Sequence, residues 1–120
     1  MKPKAWISAV DTLAPLGYSE SMLVQAEQPH NNLVKVVDSS HAGSTIPLVD
    51  GLITRSHDTV LVIRTADCGA LFLYDPEHQV VGLAHSGKKG TAQNITDKMV
   101  ETFCQTFGSD PQQLLSLIHI

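Results

Sequence analysis

The stretch TADCGALFLYDPEHQVVGLAHSGKKGTAQNITDKMVETFCQTF, Thr65–Phe107, decides how this chain folds. Leu71–Tyr74 (LFLY) and Gln79–Ala84 (QVVGLA) are rich in leucine, β-branched and aromatic residues, and Asp75-Pro76-Glu77-His78 between them is a strong turn signal. The economical reading is an antiparallel hairpin. A turn centred between Pro76 and Glu77 sets Cys68 directly opposite His85, with Cβ atoms about 4.5–5.5 Å apart. From Thr91 to Phe107 the period changes. Ala92, Ile95, Met99, Phe103 and Phe107 recur three or four apart, forming one apolar helical stripe that Gly108 closes. The order strand, turn, strand, helix predicts an α/β protein in which a mixed sheet is covered by the Thr91–Phe107 helix.

Working outward, Thr59–Thr65 (TVLVIRT) reads as a further strand beside the hairpin, and Asn32–Asp38 (NLVKVVD) as a short strand with both faces partly apolar. Ser39–Pro47, rich in Ser and Gly, reads as a loop. After Gly108, Ser109-Asp110-Pro111 offers a polar cap and a proline in the first turn of a short helix. The apolar run Leu114–Ile120 follows as a strand, ending without a turn or polar tail, so the expectation is that the sequence is only part of a longer domain. No repeat, low-complexity tract or linker divides it, and residues 1–120 are read as one domain.

At 120 residues, 42% hydrophobic and 17% charged, the composition is that of a folded globular chain. A net charge of −4, with no basic run longer than Lys88-Lys89, argues against nucleic acid as a partner. Nothing approaches the ~20 apolar residues of a membrane span. Lys2 and Lys4 precede a few apolar residues, but Asp11 interrupts before a secretory core forms. The expected compartment is therefore the cytoplasm, where Cys68 and Cys104 stay reduced. Cys68 is then available as a ligand or nucleophile, whereas Cys104, beside the apolar stripe, reads as a small hydrophobe.

Two features carry chemistry. Cys68 and His85, if they meet, make half of a metal site or a thiol–imidazole pair, and a zinc site needs a third protein ligand from His30, His41, His57, His78 or His119. His78, in the turn, is expected to point at water. Ser86-Gly87-Lys88-Lys89-Gly90-Thr91 is a glycine-rich passage from strand to helix, where free backbone amides and two ammonium groups could receive phosphate or carboxylate. The same passage is also read as a tight turn with a solvated lysine pair.

TADC followed after a hairpin by AHSGKKG resembles the TADC…HAGWRG signature of the YfiH-like multicopper polyphenol oxidoreductase/laccase-domain family. Gln28-Pro29-His30-Asn31 resembles that family's Gln-x-His-Gly segment. Val49-Asp50-Gly51-Leu52-Ile53-Thr54 is similar to its Ala-Asp-Ala-hydrophobic-hydrophobic-Thr segment, and LSLIHI to the strand before its Gly-Pro segment. The resemblance runs from about residue 28 to 120, with residues 1–27 divergent. It implies mixed β-sheet layers flanked by helices, an architecture shared with cysteine hydrolases of the cytotoxic-necrotizing-factor type. It also implies a catalytic metal, usually zinc, held by His30, Cys68 and His85, three protein ligands that leave a fourth position open. Thiolate and imidazole donors suit copper as well.

The implied activity is that of a transferase and hydrolase on purine nucleosides: phosphorolysis of adenosine- and inosine-type substrates, and deamination of adenosine. In that scheme Cys68 and His85 are catalytic, Asp67 orients a ligand, and Arg64, Ser86, Gly87 and Lys89 receive the nucleoside or phosphate. The family's Trp-Arg is replaced here by Lys88-Lys89, which removes a stacking ring and a bidentate anion grip. Three alternatives stand beside this reading. They are a copper-dependent laccase-like oxidoreductase, a metal-free Cys68/His85 hydrolase or deamidase, and a non-catalytic binding module.

Overall fold

The computed structural model describes residues 14–29, 31–64, 69–86 and 89–119. Among the described residues its strands are β1 (Leu23–Ala26), β2 (Val34–Val36), β3 (Thr45–Ile46), β4 (Gly51–Thr54), β5 (Val60–Val62), β6 (Gly69–Asp75), β7 (Val80–Ser86) and β8 (Leu115–His119), and the α-helix α1 (Lys89–Phe107) runs between β7 and β8. They form a five-stranded sheet in the order β2-β4-β7-β6-β8 and a three-stranded sheet in the order β3-β1-β5. The first is antiparallel except for β2 beside β4, and the second is wholly parallel. The class is α/β, as expected, with one mixed and one parallel sheet.

The hairpin forms, but its register differs from the expected one. Asp75 pairs with Val80 and Ala70 with His85, so the turn is centred between Glu77 and His78 and Cys68 is not the residue opposite His85. The cause is Asp75. Its buried carboxylate accepts the backbone N–H groups of Glu77 (3.0 Å) and His78 (3.2 Å) on Oδ1, and meets His78 Nδ1 (2.7 Å) and the Ser109 hydroxyl (2.5 Å) on Oδ2. These bonds draw the chain into a four-residue loop, closed by Gln79 at φ 55, instead of a tight two-residue turn. His78 is exposed, as expected, while its Nδ1 is tied to a buried carboxylate.

α1 opens at Lys89, two positions before the expected start, so Lys89 and Gly90 belong to the helix and not to the turn before it. From Ile95 onward its stripe packs as read, the Ala92 side chain lying outside the described residues: Ile95, Met99 and Phe103 are wholly buried against Ile53, Leu71, Leu73, Val80 and Ala84, with Phe107 partly buried beside them. The helix ends at Gly108, whose φ of 71 and N–H bond to the Cys104 carbonyl (3.0 Å) make a left-handed cap. Asp110 then caps the short 3-10 turn Pro111–Gln113 by accepting from the Gln112 N–H at 3.0 Å. Two glycines let α1 lie close to the sheet. A Cβ on Gly82 would stand 2.7 Å from Met99 Cε and 2.8 Å from Phe103 Cε2, and one on Gly51 2.9 Å from Met99 Sδ.

Thr59–Thr65 does not join the hairpin. Its strand, β5, pairs in parallel with β1, a wholly buried strand that the sequence pattern does not announce. β4 is also unannounced by alternation because all four of its residues are buried. Ile53 faces α1, while Leu52 faces a second core of Val24, Ala26, Val37, Ile46 and Val49 beneath the three-stranded sheet. β4 is thus the middle layer between helix and small sheet, and the segment before it enters the interior.

That cover fades across the large sheet. Leu52, Leu83, Phe72 and Leu117 are successive partners in one row, and exposure rises from 0% at Leu52 to 42% at Phe72 and 64% at Leu117. The faces of β6 and β8 away from α1 are therefore open among the described residues.

Candidate functional site

His85 lies one residue from the end of β7 and is only 5% exposed. The pairing of Gly51 with Ala84 brings Asp50, the residue before β4, alongside it. Two bonds join them: the His85 N–H donates to the Asp50 carbonyl (2.8 Å), and His85 Nδ1 lies 3.0 Å from Asp50 Oδ2. Asp50 is itself 1% exposed. Its other carboxylate oxygen accepts the Asn31 N–H at 2.9 Å, and its own N–H donates to the Leu33 carbonyl at 3.0 Å. The Asn31 side chain completes the junction, donating to the Leu48 carbonyl and accepting from the Leu33 N–H, both at 2.9 Å.

A second link is made by Gln28. Its side-chain amide clasps the backbone of Arg64 on both sides, accepting the Arg64 N–H (2.5 Å) and donating to the Arg64 carbonyl (2.6 Å). Beyond Gln25 and Val62, the last parallel pair of β1 and β5, this side chain takes over the work of a backbone. Gln28 is held for the purpose at φ 63, with its own N–H on the Val49 carbonyl at 2.9 Å. A third link is the pairing of Gly69 with Ser86. The three links join Asn31, next to His30, to His85; Gln28, two before His30, to Arg64, one before Thr65; and Gly69, next to Cys68, to Ser86, next to His85. The described neighbours Gln28, Asn31, Arg64 and Gly69 thus lie with His85 at one corner, near the carboxyl ends of β1, β5 and β7.

Of the residues expected to act, His85 is buried and oriented, Ser86 is half-buried at the strand end, and Arg64 is exposed with its backbone clasped. Lys89 opens α1. His30, Asp67, Cys68 and Gly87 lie outside the described residues. Among the described residues no group of three or more His, Cys, Asp or Glu side chains is gathered to hold a metal ion. The residues that sequence reasoning passed over are Asp50 and the amides of Gln28 and Asn31. One signal was available: Asp50 stands between Val49 and the buried strand GLIT, where an unpartnered carboxylate would be costly.

Other histidines are engaged elsewhere. His41 Nδ1 accepts the Asp38 N–H at 3.1 Å in the turn Ser39–His41. His78 and Ser109 both bind the same oxygen of Asp75, so the imidazole does not stand between serine and carboxylate as a hydrolytic triad requires. The donor set proposed from the sequence, two imidazoles and one thiolate, suits zinc. The Asp50 carboxylate on His85 Nδ1 is the partner that a metal-bound histidine usually keeps on its far nitrogen.

Residues 8–119 match the family described as multi-copper polyphenol oxidoreductase laccase. This chain belongs to that family. The match begins well upstream of Gln28, where the motifs quoted above begin. The purine nucleoside phosphorylase YlmD of Bacillus subtilis is 34% identical over 102 residues, which cover 79% of this chain and 37% of that protein. An adenosine deaminase, RL5, from an unknown prokaryotic organism is 31% identical over 97 residues, covering 75% of this chain and 37% of that protein. The crystal structure of Bacillus licheniformis protein YfiH superposes with a TM-score of 0.87 at 28% identity, over 94% of this chain and 45% of that one. The chain thus spans less than half the length of these family members, and its fold is the YfiH-like fold over that part. No helix among the described residues is long and apolar enough to cross a membrane.

Proposed function

We propose that this chain is the part of a zinc-dependent enzyme of purine nucleoside metabolism that holds the metal. The observation that carries the proposal is the corner where hydrogen bonds tie Asp50 to both Asn31 and His85, and Gln28 to Arg64, and where Gly69 pairs with Ser86 across the hairpin. Family members named purine nucleoside phosphorylase and adenosine deaminase support the substrate class.

His30, Cys68 and His85 are the residues that would hold zinc. When bound, zinc supplies a Lewis acid and a means of activating water toward a purine carbon. The chain's own residues do the rest. Asp50 holds the His85 ring, and Asp67 stands next to Cys68 in sequence as a further orienting carboxylate. The amides of Ser86 and Gly87, the amino end of α1 and Lys89 receive phosphate, with Arg64 as a second cation at the rim. In phosphorolysis a phosphate oxygen bonds to the sugar C1′ as the bond from C1′ to the purine nitrogen breaks, and the departing nitrogen takes up a proton. In deamination water adds at the amino-bearing carbon and ammonia leaves. The reading places the protein in the cytoplasm, where Cys68 is kept reduced.

The test is elemental analysis of the purified protein, with adenosine or inosine and phosphate assayed for free base and for ammonia. The expected result is about one zinc per chain, lost together with turnover in His85→Ala. Full activity after thorough removal of metal overturns the zinc reading in favour of a Cys68/His85 hydrolase. Neither metal nor turnover favours a binding module, and oxidation of phenols after copper loading favours the oxidase that the family's name describes.

A further inference from the structure

We infer that Asp50 is a positioning residue that decides which nitrogen of His85 offers a lone pair, and that it does so while holding the backbone next to His30. The inference deepens the metal reading and rests on it for the use made of that lone pair. The orientation itself rests on described residues alone.

Every contact of the Asp50 carboxylate asks it to accept. Oδ1 is 2.9 Å from the Asn31 N–H, a group that can only donate. Oδ2 is 3.0 Å from His85 Nδ1. An ionised carboxylate accepts on both oxygens and donates on neither, so Nδ1 must carry the ring proton and the lone pair of a neutral imidazole falls on Nε2. Strand pairing already fixes the His85 backbone, whose N–H reaches the Asp50 carbonyl at 2.8 Å. The carboxylate acts on the ring in addition. With Asp50 1% and His85 5% exposed, water has little access to substitute for either bond.

The isosteric amide of Asp50→Asn cannot do both tasks. With its oxygen toward Asn31, the substituted side chain turns its NH2 toward His85 Nδ1, which must then accept, so the ring proton moves to Nε2. With its oxygen toward His85, the NH2 faces the Asn31 N–H, two donors in contact in a buried place. A single carboxylate thus couples the tautomer of His85 to the seat of the segment that carries His30.

The experiment uses the full chain, labelled with nitrogen-15 and free of metal, at neutral pH. Long-range proton–nitrogen correlation spectra, assigned with His85→Gln, report which ring nitrogen of each histidine is protonated. The parent is expected to show His85 protonated on Nδ1, and Asp50→Asn to show the proton moved to Nε2. Zinc titration should then find Asp50→Asn about 10–100-fold weaker than the parent. A parent His85 protonated on Nε2 overturns the inference, as does an Asp50→Asn protein with the parent's tautomer and zinc affinity. If Asp50→Asn does not fold, the parent spectrum alone decides. A parent that binds no zinc yet shows the Nδ1 tautomer defeats the metal reading and leaves the role of Asp50 standing.

Discussion

Adding one methyl group at Gly82 should loosen the whole protein. In Gly82→Ala the new Cβ would lie 2.7 Å from Met99 Cε, 2.8 Å from Phe103 Cε2 and 3.0 Å from Phe103 Cζ. Met99 Cε is the end of a flexible chain and can swing aside, but the Phe103 ring is fully buried and moves only with α1 or with its neighbours. Overpacking of this kind costs about 1–3 kcal/mol, and two approaches under 3.0 Å put this case in the upper half of the range. Two gains offset part of it: about 0.4–1 kcal/mol from a stiffer unfolded chain, and up to about 0.8 kcal/mol from the buried methyl. The expected net loss is about 1 kcal/mol, roughly 4 °C in Tm for a chain of this size. Urea denaturation should show a lower midpoint with an unchanged slope. Phe103→Leu, which withdraws the ring edge, should rescue the alanine. The double variant should be more stable than the sum of the two single losses by at least about 0.5 kcal/mol. An unchanged or higher midpoint in Gly82→Ala, or strict additivity in the double variant, refutes the claim that close packing of α1 dictates glycine there.

Two further outcomes follow from the same structure. Hydrogen bonds from Ser109 first, then from His78, hold the Asp75 carboxyl below its ordinary value of 3.8, against burial, which pushes it up. A depressed carboxylate contributes stability that is complete well above 3.8 and is lost as pH falls below that value toward the folded pKa. Urea midpoints measured between about pH 6 and pH 3 should therefore drop more steeply for the parent than for Ser109→Ala, and equal slopes would contradict the bond's role. In the row from Leu52 to Leu117, Leu52→Ala should cost about 2–5 kcal/mol and Leu117→Ala within about 0.5 kcal/mol, because one end is packed on both sides and the other is 64% exposed. Similar losses at both ends, read by the same denaturation, would mean that the β8 face is covered.

Much of the fold was legible because it is local. The stripe Ile95, Met99, Phe103 repeats at the period of a helix, Gly108 sits where only a left-handed residue closes it, and Asp75-Pro76 announces a turn wherever the strands end up. The motifs around His30, Cys68 and His85 named a family and a ligand set without any coordinates. Periodicity was silent where burial is on both sides: Leu23–Ala26 and Gly51–Thr54 show no alternation, since neither has a solvent face.

What the sequence by itself determined was the order of elements from the hairpin onward, the apolar face of the helix and the kinds of donor atom available for chemistry. Only the tertiary structure decided which residues meet. The Asp75 carboxylate in the hairpin is bound by Ser109, 34 residues away, and the backbone of Arg64 is held by Gln28, 36 residues away. Asp50, which holds the His85 ring, lies 35 residues earlier in the chain. Hydrogen bonds of such separation leave no period or spacing in a sequence. They exist because β4 and β7 pair within a buried layer, where a carboxylate and an imidazole must satisfy each other.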